Sequence, residues 1–256
     1  MKKHDLICGV MLVLLLAATH HVEAQDNSPE PAIDSKHTDN TLKILSGMTQ
    51  FIEAAPAFSA RGNFGGELIL ENGQLVEHGS TFTVIFSRPA KLYMRLNSRD
   101  GYEATMFFDG ETITVASVYD GRTIYDTTPQ PGDATESLDF MASQTGGPRE
   151  LVYFLTQQMT EQLNTVRTGF YVGKSIIGGV LCDHLAVRTD TRDGQVWIDR
   201  GDEPTPWRIV ITHREKPAQP RFWVQFDEWD FSPEFSESTF KYTPPEDAVE
   251  FGYFSE

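Results

Sequence analysis

Cysteine is nearly absent from this chain of 256 residues, which contains only Cys8 and Cys182. Cys8 lies within the apolar run formed by residues 6–18 near the N-terminus. Removal of that run would leave Cys182 alone, and a single cysteine cannot form an internal disulfide. We therefore expect a fold stabilised by the hydrophobic core of one sizeable domain rather than by covalent cross-links.

The sequence also lacks an apolar run of the roughly 20 residues that a membrane-spanning helix needs. The run 6–18 follows two lysines and precedes Val22-Glu23-Ala24, an order typical of a secretory signal peptide. Cys8 lies too near the start for lipoprotein-type cleavage. The pattern predicts cleavage after Ala24, export to the periplasm, and a mature protein that does not span the membrane.

Positive charge is scarce, because 21 Lys and Arg stand against 37 Asp and Glu, giving a formal net charge of −16. The predicted signal peptide holds two residues of each sign, so its removal leaves this charge unchanged. Such a balance argues against nucleic acid or an anionic membrane surface as the main partner.

Catalytic signatures are missing as well. The chain has no Gly-x-Ser-x-Gly, no phosphate-binding glycine loop and no His-Glu-x-x-His. We therefore predict that the protein is not an enzyme and uses neither a cofactor nor a metal.

The segment Cys182-Asp183-His184 is the main exception to this absence. On a strand, Cys182 and His184 share a face but lie roughly 6.5–7 Å apart at Cα, too far for a thiol–imidazole pair. We favour a buried cysteine and a hydrogen-bonded structural histidine. A hydrolase or thiol enzyme using these two residues is the alternative. A metal site formed by Cys182, His184 and His213 is disfavoured, because the two histidines would lie two strand spacings apart, too far to bind one zinc ion.

Strand-like alternation dominates what remains. Residues 180–189, 195–199 and 207–213 form three predicted antiparallel strands, with Asp193-Gly194 supplying a tight turn. The third strand has an apolar face and a mostly polar face. This pattern is typical of a curved sheet whose apolar face encloses either a hydrophobic core or an apolar ligand.

The rest of the chain extends the same scheme, with Asn72-Gly73 predicting a further hairpin and Asp133 predicting a helix cap. Predicted helices cover 39–55, 133–141 and 149–163, and predicted strands cover 59–70, 74–87, 91–97, 102–108, 112–118, 123–127, 169–177, 221–230, 240–242 and 248–254. The predicted fold is α+β but mostly β, a curled antiparallel sheet covered by a few helices. The predicted organisation is a signal peptide (1–24), a flexible linker (25–38) and a single half-barrel domain (39–256).

Four spaced motifs resemble a known family. They are Phe107-Phe108-Asp109-Gly110, the Gly178-Gly179-Val180-x-Cys182-x-His184 segment, Trp197-Ile198-Asp199 and Phe240-x-Tyr242-x-Pro244-Pro245. In this order they are similar to an exported bacterial family catalogued as a domain of unknown function, a predicted periplasmic protein. More distantly, the last two motifs resemble the LolA/LolB-like periplasmic lipoprotein carriers. That resemblance implies an unclosed β-barrel of about eleven strands, with helices over its mouth and an acyl-binding cavity.

The leading functional hypothesis is a soluble periplasmic binding protein for an acyl chain or another apolar ligand, such as a lipid or lipoprotein carrier. Seventeen Phe, eight Tyr and four Trp could line a cavity instead of filling a core. An envelope sensor or scaffold that binds another protein is the alternative from a different class. The candidate cavity residues lie on three strands and the third helix: Phe82, Val84, Phe86, Phe154, Leu155, Trp207, Ile209, Phe222 and Phe226.

Overall fold

The computed structural model of the chain describes residues 35–130, 132–145 and 158–252. The described helices are α1 (Ser35–Ala54), α2 (Ala134–Thr145) and α3 (Gln158–Leu163). The described strands are β1 (Ala57–Ile69), β2 (Leu75–Ser87), β3 (Lys91–Ser98), β4 (Glu103–Phe108), β5 (Thr112–Tyr119), β6 (Arg122–Pro129), β7 (Thr168–Ile177), β8 (Val180–Arg188), β9 (Arg192–Asp199), β10 (Pro206–His213), β11 (Arg221–Asp230) and β12 (Val249–Glu250).

All twelve strands belong to one sheet, in the order β12-β6-β5-β4-β3-β2-β1-β11-β10-β9-β8-β7. Every neighbouring pair is antiparallel except β12 and β6, which are parallel. The end strands β7 and β12 lie at opposite ends of this order, so the sheet is not closed. The predicted fold class, a mostly-β unclosed sheet with a few helices, is confirmed. Eleven long strands match the expected number, and β12 adds two residues.

Two local signals are confirmed in detail. At the β1–β2 turn, Gly73 has φ +81° and the Asn72 side chain accepts a hydrogen bond from the Gln74 backbone at 2.9 Å. At the start of α2, Asp133 Oδ1 accepts from the backbone N–H of Thr135 and Glu136, and the Glu136 carboxylate accepts from the Asp133 N–H. This reciprocal cap satisfies backbone donors that helix geometry leaves unpaired.

The chain after β11 differs from the prediction. The strand expected at 240–242 is absent, and a short 3-10 turn, Glu237–Phe240, occupies part of that stretch. Ser236 and Thr239 stabilise the turn through two mutual hydrogen bonds, and Phe240 is buried, 1% exposed. Of the strand expected at 248–254, the described residues 248–252 contain β12 alone, and residues 253–254 lie outside the described part. Of the helix expected at 149–163, α3 is described, and residues 149–157 lie outside the described ranges.

One face of the sheet, the inner face, carries the hydrophobic core. Across β1 to β5, one row of cross-strand partners is at most 1% exposed, and we call it the sealed row: Phe58, Phe86, Leu92, Phe108 and Ile113. The helices complete the core over this face with their own buried side chains: Leu45, Met48, Ile52, Leu138, Met141 and Met159. The sheet and the helices therefore share one core.

Burial decreases toward the other end of the inner face. Strand β1 runs from Phe58 in the sealed row to Gly66, which pairs with Phe222 on β11. From Phe222 the same row continues across β10, β9 and β8 through Ile211, Gly194 and Val187. At this end Val187 and Ile211, like Leu96 on β3, are only partly buried although they pack against the core. We call Leu96, Val187, Ile211 and Phe222 the mouth residues.

Candidate functional site

Six of the nine predicted cavity residues lie together on the inner face. Phe82, Val84, Phe86, Ile209, Phe222 and Phe226 belong to one core cluster and are at most 7% exposed. The aromatic rings among them pack closely: Phe82 and Phe226 meet edge to face with centroids 5.6 Å apart, and Phe86 stacks on Phe58 at 5.4 Å. Within the described residues, this part of the face is packed against itself and the helices. Phe154 and Leu155 lie outside the described residues.

Trp207 does not join this cluster. The β9–β10 register shifts between Pro206 and Arg208, so Trp207 sits in a bulge and simple alternation with Ile209 no longer places it. Its ring is half-buried near Gly178, where an added Cβ would lie 3.6 Å from the indole. No residue of the described part of the chain accepts a hydrogen bond from its buried indole N–H.

Three of the four mouth residues, Leu96, Val187 and Ile211, are only partly buried on the inner face. The four come from four different strands. Val187, Ile211 and Phe222 lie in one cross-strand row, whereas Leu96 pairs with Phe82 in the row of Gly62 and Phe226, four residues nearer the sealed row. Phe222, which is 7% exposed, connects them to the core through Phe64, with ring centroids 6.2 Å apart. All four side chains are hydrocarbon, so this surface can bind apolar groups but offers no acid, base or nucleophile.

The outer face carries a separate feature that sequence reasoning missed. A groove of about 220 Å³ is lined by β4, β5, β6 and the segment after β11: Glu103, Thr105, Phe107, Ala116, Val118, Thr123, Tyr242, Thr243 and Pro245. The Tyr242 ring lies between Phe107 and Tyr125, at 5.3 and 5.2 Å. Burial raises the pKa of Tyr242, and its buried hydroxyl has no hydrogen-bond partner within the described ranges. The Phe240-x-Tyr242-x-Pro244-Pro245 motif was the available signal, but it was interpreted as a strand.

Cys182 and His184 are held by structural contacts. Cys182 is fully buried, and its Sγ donates to the Val180 carbonyl at 3.5 Å. Burial, followed by the nearby Asp199 carboxylate, raises the pKa of the Cys182 thiol to about 11. The His184 ring stacks on Trp197 at 4.1 Å. A thiol this basic is protonated at neutral pH, which removes the nucleophilic form.

The two histidines considered for a metal site lie on opposite faces. His184 pairs with Trp197 on the outer face, and its Nε2 lies 3.1 Å from Gln195 Oε1. His213 follows Ile209 and Ile211 on the inner face, with Nδ1 3.2 Å from a carboxylate oxygen of Glu215. Among the residues that the structure describes, no group of three or more potential ligands could hold a metal ion.

Comparison with curated proteins finds no match. Among solved structures, the chain is similar to the Mycobacterium tuberculosis lipoprotein LppX, with 11% identity and a TM-score of 0.48 over 77% of this chain and 98% of that one. It is also similar to the Nitrosomonas europaea LolA superfamily protein, with 8% identity and a TM-score of 0.37 over 79% and 97%.

A third likeness is to a chain of the Pseudomonas aeruginosa MucA/MucB complex, with 16% identity and a TM-score of 0.43. The match covers 80% of this chain but only 61% of that one. All three TM-scores lie below 0.5, so the chain's own residues have to carry any inference of function.

A family model matches residues 41–252, which include every described strand and the part of α1 from Thr41 to Ala54. The match confirms the predicted exported family, and the family's description confirms the predicted periplasmic location. None of the helices in the described ranges is long and apolar enough to cross a membrane. The chain belongs to the family described as "Predicted periplasmic protein (DUF2092)".

Proposed function

We propose that this periplasmic protein binds an acyl chain, or a similar apolar ligand, at the mouth end of its inner face. One observation carries the proposal: Leu96, Val187 and Ile211 face inward and pack against the core, yet remain only partly buried. A partly exposed apolar surface continuous with a core is the feature expected of a site for an apolar ligand.

The packed sealed row limits how deep such a ligand reaches. Leu96 and Leu92 lie on the same strand and face, four residues apart, which corresponds to about 13 Å. Met94 lies between them on the same face and is 7% exposed, so a ligand contacts the partly exposed edge at Leu96 and not this depth. Burying about six methylenes there, at about 0.8 kcal/mol each, contributes about 5 kcal/mol before the entropy cost of binding. Deeper insertion would require the helices to move away from the sealed row.

Catalysis is not part of the proposal. The mouth residues carry no reactive group, and Cys182 is buried with a raised pKa. A thiol enzyme would need an accessible thiolate beside a base, whereas His184 is stacked on Trp197.

The test compares two matched substitutions in the mature protein. Val187→Asn changes the mouth, and Val118→Asn changes a similarly positioned valine of the outer-face groove, which is 36% exposed. Binding of a fluorescent fatty acid should weaken about fivefold in Val187→Asn because an apolar contact is lost, and stay within about twofold in Val118→Asn. No binding by the unsubstituted protein, or equal loss in both variants, would contradict the proposal.

A second candidate function, binding of another envelope protein, is supported by edge strand β7. Phe170, Val172 and Ile176 are 57%, 49% and 71% exposed on this strand. Helix α1 covers the edge at Gly169, whose N–H donates to Thr38 Oγ1 at 3.0 Å. An extended segment of a partner could add a strand beyond that point. A photocrosslinker at Ile176 should then capture one defined partner that a crosslinker at Val118 does not, and equal labelling from both positions would count against it.

A further inference from the structure

Basic side chains gather beside the mouth, on the β7 to β11 side of the sheet. We call them the basic rim: Arg167, Arg188, Arg192, Arg214, Lys216 and Arg221. The carboxylates in the same turns and strand ends are fewer: Glu67, Asp190, Asp193 and Glu215. An excess of cations is unexpected in a chain whose formal net charge is −16. This end of the sheet is therefore locally positive while the molecule as a whole is strongly negative.

The rim lies directly next to the mouth residues. Arg188 follows Val187 at the end of β8, and Arg221 precedes Phe222 at the start of β11. Arg192 is two residues before Gly194, so the two share the inner face. These offsets correspond to about 3–7 Å along a strand. Arg188 and Arg221 are each one residue from an inner-face side chain and so project toward the outer face at their strand ends. Arg192 is therefore the rim cation on the same face as a ligand whose chain contacts the mouth.

Several rim residues are held in place by ion pairs and turn contacts. Arg188 binds Asp193 through two hydrogen bonds of 2.7 and 2.8 Å. Arg214 donates to the Thr189 carbonyl at 3.2 Å and so links two neighbouring turns. Such contacts reduce the side-chain entropy lost when an anion binds.

The two rim residues best suited to meet a ligand are Arg192 and Lys216. Arg192 is half-buried and lies on the inner face opposite His213, whereas Lys216 is exposed in the β10–β11 connection. On the other side of the mouth, near Leu96, cations are offset by acids, since Arg95 pairs with Glu103 and Arg99 with Glu77. Rim cations are also paired with acids, Arg167 with Asp190, Arg188 with Asp193 and Arg221 with Glu67, so the excess on this side is the two charges by which the six cations exceed the four carboxylates.

From this arrangement we infer that the ligand is an anionic amphiphile, whose hydrocarbon chain lies on the mouth residues and whose carboxylate or phosphate head lies at the basic rim. The inference rests on the proposed function and adds the charge of the ligand and its orientation. Guanidinium groups suit both kinds of head, because they can donate paired hydrogen bonds to carboxylate and phosphate.

The experiment varies the head group at constant chain length. Titration calorimetry of the mature protein compares dodecanoate, dodecyl phosphate, neutral dodecyl maltoside and dodecyltrimethylammonium, each below its micelle concentration. Both anions should bind roughly fivefold or more tightly than the neutral and cationic ligands, and the difference should shrink at about 1 M salt, where the Debye length is about 3 Å. Inorganic phosphate alone should not compete, because it lacks the chain.

Matched double variants separate the rim from total charge. Arg192→Gln with Lys216→Gln removes two rim cations, and Arg122→Gln with Lys241→Gln removes two exposed cations elsewhere. The rim pair should weaken the anions about five- to tenfold and leave the maltoside unchanged, while the other pair should change neither by more than about twofold. Lys216→Glu, at an exposed position, repeats the test if the rim pair fails to fold.

The outcomes distinguish the two claims. Equal binding of anionic and neutral ligands, equal losses in the two double variants, or phosphate binding as tightly as dodecyl phosphate would each overturn the inference while leaving apolar binding intact. If no dodecyl ligand binds, the inference and the proposed function both fail.

Discussion

Substitutions in the sealed row and at the mouth should have opposite profiles for stability and ligand binding. Phe86 represents the sealed row: it is 1% exposed, its ring stacks on Phe58 at 5.4 Å, and the Arg88 guanidinium lies 4.8 Å from the ring centroid. Phe86→Ala removes a fully buried ring and leaves a cavity, so it should lower the free energy of unfolding by about 3–5 kcal/mol. It should leave ligand affinity nearly unchanged, because a ligand at the mouth does not reach this row.

Leu96 represents the mouth. It is partly buried, so truncation deletes fewer packing contacts and opens a space that solvent can already reach. Leu96→Ala should cost about 1–2 kcal/mol in stability, the lower part of the range for large-to-small changes. Ligand affinity should fall about fivefold or more because the acyl chain loses a direct contact.

Urea unfolding followed by both tryptophan fluorescence and circular dichroism measures these losses, and an unchanged m-value shows that the two states remain comparable. If the alanine variant is unfolded, Phe86→Leu replaces it in the binding measurement alone, where it should leave ligand affinity nearly unchanged. The reasoning is refuted if Leu96→Ala and Phe86→Ala lose equal stability, or if the sealed-row variant loses ligand while the mouth variant keeps it.

Three further predictions concern single positions. Cys182 should react with a thiol reagent at pH 8 only as fast as local or global unfolding exposes it. Its thiol is fully buried and its pKa is raised to about 11. Rapid labelling of the folded protein would contradict this. Asp133→Ala should lower the free energy of unfolding by about 1 kcal/mol, because it removes the side chain that caps α2. Asp133→Asn keeps a capping oxygen and should cost much less. Equal losses of the two variants in thermal unfolding would exclude a capping role. Gly62→Ala should destabilise the protein strongly, because the added Cβ would lie 2.1 Å from the Gln225 carbonyl oxygen. Gly47→Ala in α1 meets nothing within 4 Å and should stabilise the protein by about 0.5–1 kcal/mol. The reverse order of the two urea midpoints would refute the packing described for β1.

Much of the fold could be predicted from local signals. Alternation assigned Phe82, Val84 and Phe86 to one face of a strand, and the structure has all three buried on the inner face. This works because a strand's side-chain period is fixed at two residues, whatever the strand pairs with. Asn72-Gly73 and Asp133 were equally reliable, since turn and cap chemistry acts within a few residues.

Trp207 shows where local reasoning ends. Its assignment to the face of Ile209 depends on an unbroken strand, and a bulge at this point depends on how β9 and β10 pair. The pairing of β1 with β11, which brings Gly66 beside Phe222, likewise joins segments far apart in sequence. No periodic pattern in either segment identifies its partner.

The mouth could not be distinguished from the sealed row by sequence. Leu96 and Leu92 are the same residue type on the same face of β3, and only the covering elements make one partly exposed and the other fully buried. The basic rim was more accessible, because most of its members lie between Arg188 and Arg221. The net charge of −16 directed attention to the acidic excess and away from this local cluster.

The most direct test of an acyl site at the mouth is photolabelling. A photoreactive hexadecanoate, irradiated with the protein and mapped by mass spectrometry, should label peptides that contain Leu96, Val187, Ile211 or Phe222. Excess unlabelled hexadecanoate should suppress this labelling. Labels confined to the outer-face groove around Phe107 and Tyr242, or spread over the surface without competition, would contradict a ligand site at the mouth.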